Sequence, residues 1–185
     1  GDSSAVSNKL NARVTQVFSS GAAFAALKDN GSVITWGEAD LGGDSSAVSN
    51  KLNARVSQVF STYSAFAALK DNGSIITWGE VDYGGDSSAV SSDLGSGVSQ
   101  VFSTEYAFAA LKDDGSVITW GSSTAGGDSS AVSNKLNARV SHVFSNPFAF
   151  AALKENGSVI TWGNSTFGGD SSAVSNKLKA RVSQI

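Results

Sequence analysis

The chain has 185 residues, with 13 Lys and Arg against 16 Asp and Glu, and a net charge of −3. Its basic residues are spread one to three per repeat rather than gathered into a stripe, which argues against nucleic acid as a partner. It holds no Cys and no Met: disulfides, thiolate zinc sites and Cys nucleophiles are excluded, and a mature, processed or excised segment is expected.

No apolar run approaches the roughly 18 residues that cross a bilayer, and no signal-peptide pattern is present. Membrane insertion is therefore not expected. A hydrophobic content of 41 % is enough for a core.

Gly-Asp-Ser-Ser-Ala-Val begins at Gly1, Gly43, Gly85, Gly127 and Gly169, a period of 42 residues without insertion. A Trp-Gly pair returns in phase at Trp36, Trp78, Trp120 and Trp162. Residues 1–185 thus read as a single repeat array: units 1–42, 43–84, 85–126 and 127–168, and a partial unit 169–185. In such arrays each unit buries its apolar face against its neighbours.

The second unit serves as the example. Asp44 or Ser45 can cap a helix, and Val48 and Leu52 then share a helical face. The segment predicts a helix of about two turns, ending in left-handed geometry at Asn53, where the third unit has Gly95. Residues 55–61 read as a strand, and a variable triplet, Thr62, Tyr63 and Ser64, follows. Residues 65–70 are the second strand, Asp71-Asn72-Gly73 a tight turn with Gly73 at positive φ, and 74–79 the third. Gly31, Gly115 and Gly157 repeat the turn glycine.

The second and third strands form an antiparallel hairpin. Their apolar runs do not alternate with polar residues, so both sheet faces are expected to be covered. The predicted fold is mainly β: stacked antiparallel hairpin blades, as a propeller-like ring or an open spiral, with one short helix per unit. A β-solenoid is the alternative. The hairpin turns count against it, as do the like charges that identical coils would stack about 4.8 Å apart.

The run Ala-Leu-Lys-Asp-Asn-Gly-Ser-Val-Ile-Thr-Trp-Gly at 26–37 resembles the hairpin of regulator-of-chromosome-condensation repeats, and 56–60 resembles the strand that precedes it there. The resemblance recurs in all four full units and implies β-propeller blades. The family's Gly-Gln-Leu-Gly is replaced by Gly-Gly-Asp-Ser, and its glycine after the first strand by Ser19, Ser61, Ser103 and Ser145. The short unit also resembles the repeats of large bacterial surface proteins. The family's exchange-factor and chromatin roles do not carry over, because no residues here match the segments that perform them.

Chemistry-bearing residues are few. His142 is the only histidine, and Gln16, Gln58, Gln100 and Gln184 occupy the equivalent positions; a catalytic base there is not expected. Asp2, Asp44, Asp86, Asp128 and Asp170 read as turn or capping residues rather than calcium ligands, since no second oxygen ligand keeps a fixed spacing. No metal, cofactor or enzymatic activity is expected. The four Trp residues read as packing.

Differences between units concentrate in the triplet before the second strand and in the stretch after Trp-Gly. Loops on a rigid scaffold are where binding is placed, and Tyr63, Tyr83, Tyr106, Phe148 and Phe167 are the candidate ligand contacts. Two functions are expected. The first is a structural, self-assembling repeat protein that associates head to tail through its end faces and the open edge at Ile185. It would form a segment of an extracellular bacterial fibre or cell-surface protein. The alternative is a propeller-like module that binds carbohydrate or protein through the variable loops.

Overall fold

A computed structural model describes every residue except Gly1, Ala12, Ala180, Arg181 and residues 183–185. The strand edge expected at Ile185, and Gln184, lie outside the described residues.

Each full repeat yields a three-stranded antiparallel meander. The strands are β1 (Val14–Ser19), β2 (Ala23–Lys28) and β3 (Val33–Gly37); β4 (Val56–Ser61), β5 (Ala65–Lys70) and β6 (Ile75–Gly79); β7 (Val98–Ser103), β8 (Ala107–Lys112) and β9 (Val117–Gly121); β10 (Val140–Ser145), β11 (Ala149–Lys154) and β12 (Val159–Gly163). Every pairing reverses direction, which excludes the solenoid alternative. A bulge interrupts the first pairing of each sheet, between Val56 and Gln58 in the second.

The chain divides into two compact units, Gly1–Ser96 and Gly97–Ile185, with two sheets in each. In the first, Ala23, Ala25 and Leu27 of β2 pack against Val56, Val59, Phe66, Ala68 and Trp78, with Leu52 between the sheets. In the second, Ala107, Ala109 and Leu111 meet Val140, Val143, Phe150, Ala152 and Trp162 in the same way, with Leu136 between. The lack of alternation in the middle strand has its reason here. One strand face, Ala-Ala-Leu, packs forward, and the other, Phe-Ala, packs backward.

Each hairpin turn is closed by paired backbone bonds. The Lys70 N–H donates to Ser74 O and the Gly73 N–H to Lys70 O, both at 2.9 Å. Gly73 has φ 74°, and Gly31, Gly115 and Gly157 have φ 73–76°. A side chain at Gly31 would also collide with the backbone of the next unit, since its Cβ would lie 2.5 Å from Arg55 N.

The structural repeat is out of phase with the sequence repeat. Val33 N–H donates to Leu52 O at 2.9 Å, and Ile75 N–H to Leu94 O at 3.0 Å. The Gly-Asp-Ser-Ser segment of one sequence unit thereby completes the sheet of the unit before it. Hydroxyl pairs reinforce the join: Thr35–Ser45, Thr77–Ser87, Thr119–Ser129 and Thr161–Ser171 lie 2.9–3.0 Å apart.

Two local expectations are corrected. The two-turn helix is only a 3-10 turn, Ser46–Val48 in the second unit. One further α-turn is added in the first unit (Ser7–Leu10) and the fourth (Ser133–Leu136). The carbonyl of Leu52 is taken by β3, so the backbone is committed to the sheet and cannot extend the helix. The left-handed residue is not Asn53 or Gly95. It lies two positions later, at Arg13 (φ 66°), Arg55 (φ 65°), Arg139 (φ 62°) and Gly97 (φ 73°). Arg55 is held there by two flanking bonds: Asp71 N–H to Arg55 O at 3.0 Å and Val56 N–H to Gly31 O at 2.9 Å.

Candidate binding surface

An antiparallel meander puts the link between its first two strands and the exit of its third at the same end. The two variable stretches therefore meet in every repeat, joined by one side chain. Ser20 Oγ donates to Leu41 O (3.3 Å), Thr62 Oγ1 to Tyr83 O (3.0 Å), Thr104 Oγ1 to Ala125 O (3.1 Å) and Asn146 Nδ2 to Phe167 O (2.7 Å). The hairpin turns, in which only the glycine is unvarying, occupy the opposite end of each sheet.

In the first unit Tyr63 stands exposed, and its carbonyl accepts from Gly21 N–H at 2.7 Å. Its ring fills the space in which a Cβ on Gly21 would lie, 2.8 Å away. Tyr83 is half-buried. In the second unit three candidates converge. The rings of Tyr106 and Phe148 are 6.1 Å apart and tilted by 34°, and those of Phe148 and Phe167 are 4.7 Å apart and tilted by 37°. Glu105 N–H donates to Pro147 O at 2.9 Å and fixes the two loops beside this cluster. Phe167 is 51 % exposed, while Tyr106 and Phe148 are half-buried.

Trp78, Trp120 and Trp162 are buried, and Trp36 is half-buried. Each stacks on the phenylalanine across its hairpin: Trp36 on Phe24, Trp78 on Phe66, Trp120 on Phe108 and Trp162 on Phe150, with centroids 5.2–5.3 Å apart. Trp78 Nε1 donates to Gly42 O at 3.1 Å and Trp162 Nε1 to Gly126 O at 3.0 Å.

His142 is exposed on β10, its ring 6.3 Å from that of Phe144. The repeated aspartates close turns: Oδ1 of Asp44, Asp86, Asp128 and Asp170 accepts from the serine N–H two residues on, at 2.8 Å. That bond holds the carboxyls of Asp44, Asp128 and Asp170 below the usual aspartate range. Asp114 is lowered first by the Ser116 hydroxyl and then by the Ser116 N–H. Among the described residues, no three imidazole or carboxylate groups cluster closely enough to hold a metal ion.

Reading the sequence missed the joining side chain at positions 20, 62, 104 and 146. Its signal was present: Ser, Thr, Thr and Asn all carry a side-chain group that can donate to a carbonyl. It also missed Gly42 and Gly126 as partners of the next Trp.

No protein-family model matches the chain, and no curated protein matches it in sequence. Solved structures do match in fold. Human WBSCR16 is 21 % identical with a TM-score of 0.52, over 83 % of this chain and 48 % of its own. Prp20p from Saccharomyces cerevisiae is 16 % identical with a TM-score of 0.52, over 81 % and 43 %. The ectodomain of the receptor kinase CR4 from Physcomitrella patens is 16 % identical with a TM-score of 0.51, over 84 % and 40 %. This chain spans less than half of each of these structures. Its antiparallel three-stranded sheets in tandem have the repeat β fold of regulator-of-chromosome-condensation-like propeller proteins.

Proposed function

We propose that this chain is a non-catalytic binding module whose variable loop end, centred on Tyr106, Phe148 and Phe167, takes a protein ligand. The observation that carries the reading is the gathering of both variable stretches at one end of every sheet, with three aromatic rings in contact across neighbouring loops. Rigid aromatics on a fixed scaffold provide contact area at low entropic cost. Support also comes from neighbours of this fold: Prp20p binds Gsp1p and histones, and it was solved bound to Kap60. A place outside the cell draws its support from the receptor ectodomains among its structural neighbours.

The test is comparative capture from the secreted and surface proteins of the source cells. Bait carrying Phe148→Ala and Phe167→Ala loses a partner that the unaltered chain retains. Equal retention by both baits, or binding only to a glycan array, sinks the proposal.

A further inference from the structure

The hairpin turns carry a covalent chemistry of their own. Asn30-Gly31, Asn72-Gly73 and Asn156-Gly157 each place an exposed carboxamide directly before a glycine. In such a pair the glycine nitrogen, once it loses its proton, can attack the asparagine Cγ, because the glycine has no side chain to stand in the way. The N–Cγ bond forms, the Cγ–Nδ2 bond breaks and ammonia leaves. Water then opens the cyclic imide. Opening at one carbonyl gives aspartate in an unaltered main chain. Opening at the other gives isoaspartate, whose main chain runs through Cβ and Cγ and is one atom longer.

The folded turn holds both reacting groups. The nucleophile is tied by its own proton: Gly31 N–H donates to Lys28 O at 2.9 Å, Gly73 N–H to Lys70 O at 2.9 Å and Gly157 N–H to Lys154 O at 2.8 Å. The carboxamide is held by the serine two residues on. Asn30 Oδ1 accepts from Ser32 N–H at 3.0 Å and from Ser32 Oγ at 2.7 Å. Asn72 has the same pair from Ser74 at 3.1 and 2.7 Å, and Asn156 from Ser158 at 3.0 and 2.7 Å.

The third repeat already has the aspartyl residue in place, as Asp114-Gly115. Asp114 Oδ1 accepts from Ser116 N–H at 2.9 Å and Ser116 Oγ at 2.6 Å, and Gly115 N–H donates to Lys112 O at 2.9 Å. The aspartyl product therefore fits the turn unchanged. The isoaspartyl product does not. An extra main-chain atom breaks the pairing of Lys28 N–H with Ser32 O, 2.9 Å, and displaces Gly31 O, which accepts from Val56 N–H at 2.9 Å and ties the turn to the next sheet.

We infer that Asn30, Asn72 and Asn156 are sites of spontaneous deamidation that the folded turn keeps closed, with the following serine as the guard, and that isoaspartate formed there unlocks the hairpin. The modification needs only water, and it involves neither the loop cluster nor its ligand.

Peptide mapping by mass spectrometry tests this on the unaltered chain, aged at mildly alkaline pH with and without guanidinium chloride. Asn50 and Asn134, each followed by Lys, are the slow controls. The three Asn-Gly sites convert readily in denaturant and at least about tenfold more slowly in the folded chain, the factor set by even a modest cost of local opening. Ser74→Ala removes one bond to the Asn72 carboxamide. It speeds conversion of Asn72 about two- to tenfold in the folded chain, the worth of one hydrogen bond, while Asn30 and Asn156 keep the parental rate and so report that the chain is folded. In thermal melts Asn72→Asp matches the parent, and the isoaspartyl fraction separated by ion exchange melts lower. Equal rates in folded and denatured chain overturn the inference. So does a Ser74→Ala chain in which Asn72 converts no faster than in the parent, or an isoaspartyl fraction as stable as the parent.

Discussion

Phe24 and Phe66 are the same residue in the same strand context, each stacked on its Trp at 5.3 Å and both in the first compact unit. They differ in what covers the outer ring face. Phe66 is fully buried under Gly42 and the β2 face, whereas Phe24 is only half-buried. Truncating a fully buried phenylalanine removes about 150–200 Å² of apolar burial and leaves a cavity, so Phe66→Ala should cost about 3–5 kcal/mol. Phe24→Ala forfeits roughly half the area and opens onto solvent, a cost of about 2 kcal/mol. The difference of about 2 kcal/mol measures the contact between sheets alone, and at a typical urea dependence it separates the two midpoints by about 1 M. The assay is urea unfolding followed by far-ultraviolet circular dichroism. Equal costs at the two positions would refute the premise that a sheet gains its stability from its neighbour.

The hydrogen bond between sheets gives a second matched pair. Trp78→Phe orphans the buried Gly42 carbonyl and should cost about 1–3 kcal/mol, whereas Trp36→Phe, with no such bond to lose, should cost less than about 1 kcal/mol by the same melts. Arg55→Gly and Arg139→Gly relieve left-handed strain and should each stabilise by up to about 1 kcal/mol. Gly115→Ala should destabilise instead, because it joins φ 76° to a Cβ 2.7 Å from Arg139 N. Calorimetry of the three variants reads the signs directly. The carboxyls of Asp44, Asp128 and Asp170 lie lower in the folded chain than when unfolded. Their contribution is therefore present above about pH 4 and is lost as pH falls through the folded values. Urea midpoints compared at neutral pH and well below pH 4 should fall more for the parent than for a triple Asp→Asn variant.

The strands were legible because their signals are local. β-rich runs of five or six residues were bounded by a variable triplet on one side and a turn ending in Gly on the other, and the strand bounds followed within a residue. The Ser-rich linker failed for a non-local reason. Val48 and Leu52 fit a helix, but the Leu52 carbonyl belongs to β3, which lies earlier in the chain. The glycine choice failed more narrowly. The third unit offers both Gly95 and Gly97, and propensity favoured pairing Gly95 with Asn53 over pairing Gly97 with Arg55. Contacts on either side of Arg55 override the cost of its φ, and no inspection of that residue alone would reveal them. At the loop end, variability marked the positions, but their convergence required the meander that joins residue 146 to residue 167.

The repeat also dictates a direction of stacking. The forward face of each middle strand offers small residues, as at Ala23 and Ala25, while the backward face offers Phe and, across the hairpin, Trp. Two backward faces brought together would set four large rings against one another with no recess to take them. Two forward faces would leave the volume of those rings empty, and voids of that size are not tolerated in packed interiors. Only forward-on-backward contact fills space, and only there does the Trp indole meet a glycine whose missing side chain makes room for the neighbouring ring. Small-against-large patterning within one strand thus fixes polarity before any charge is considered.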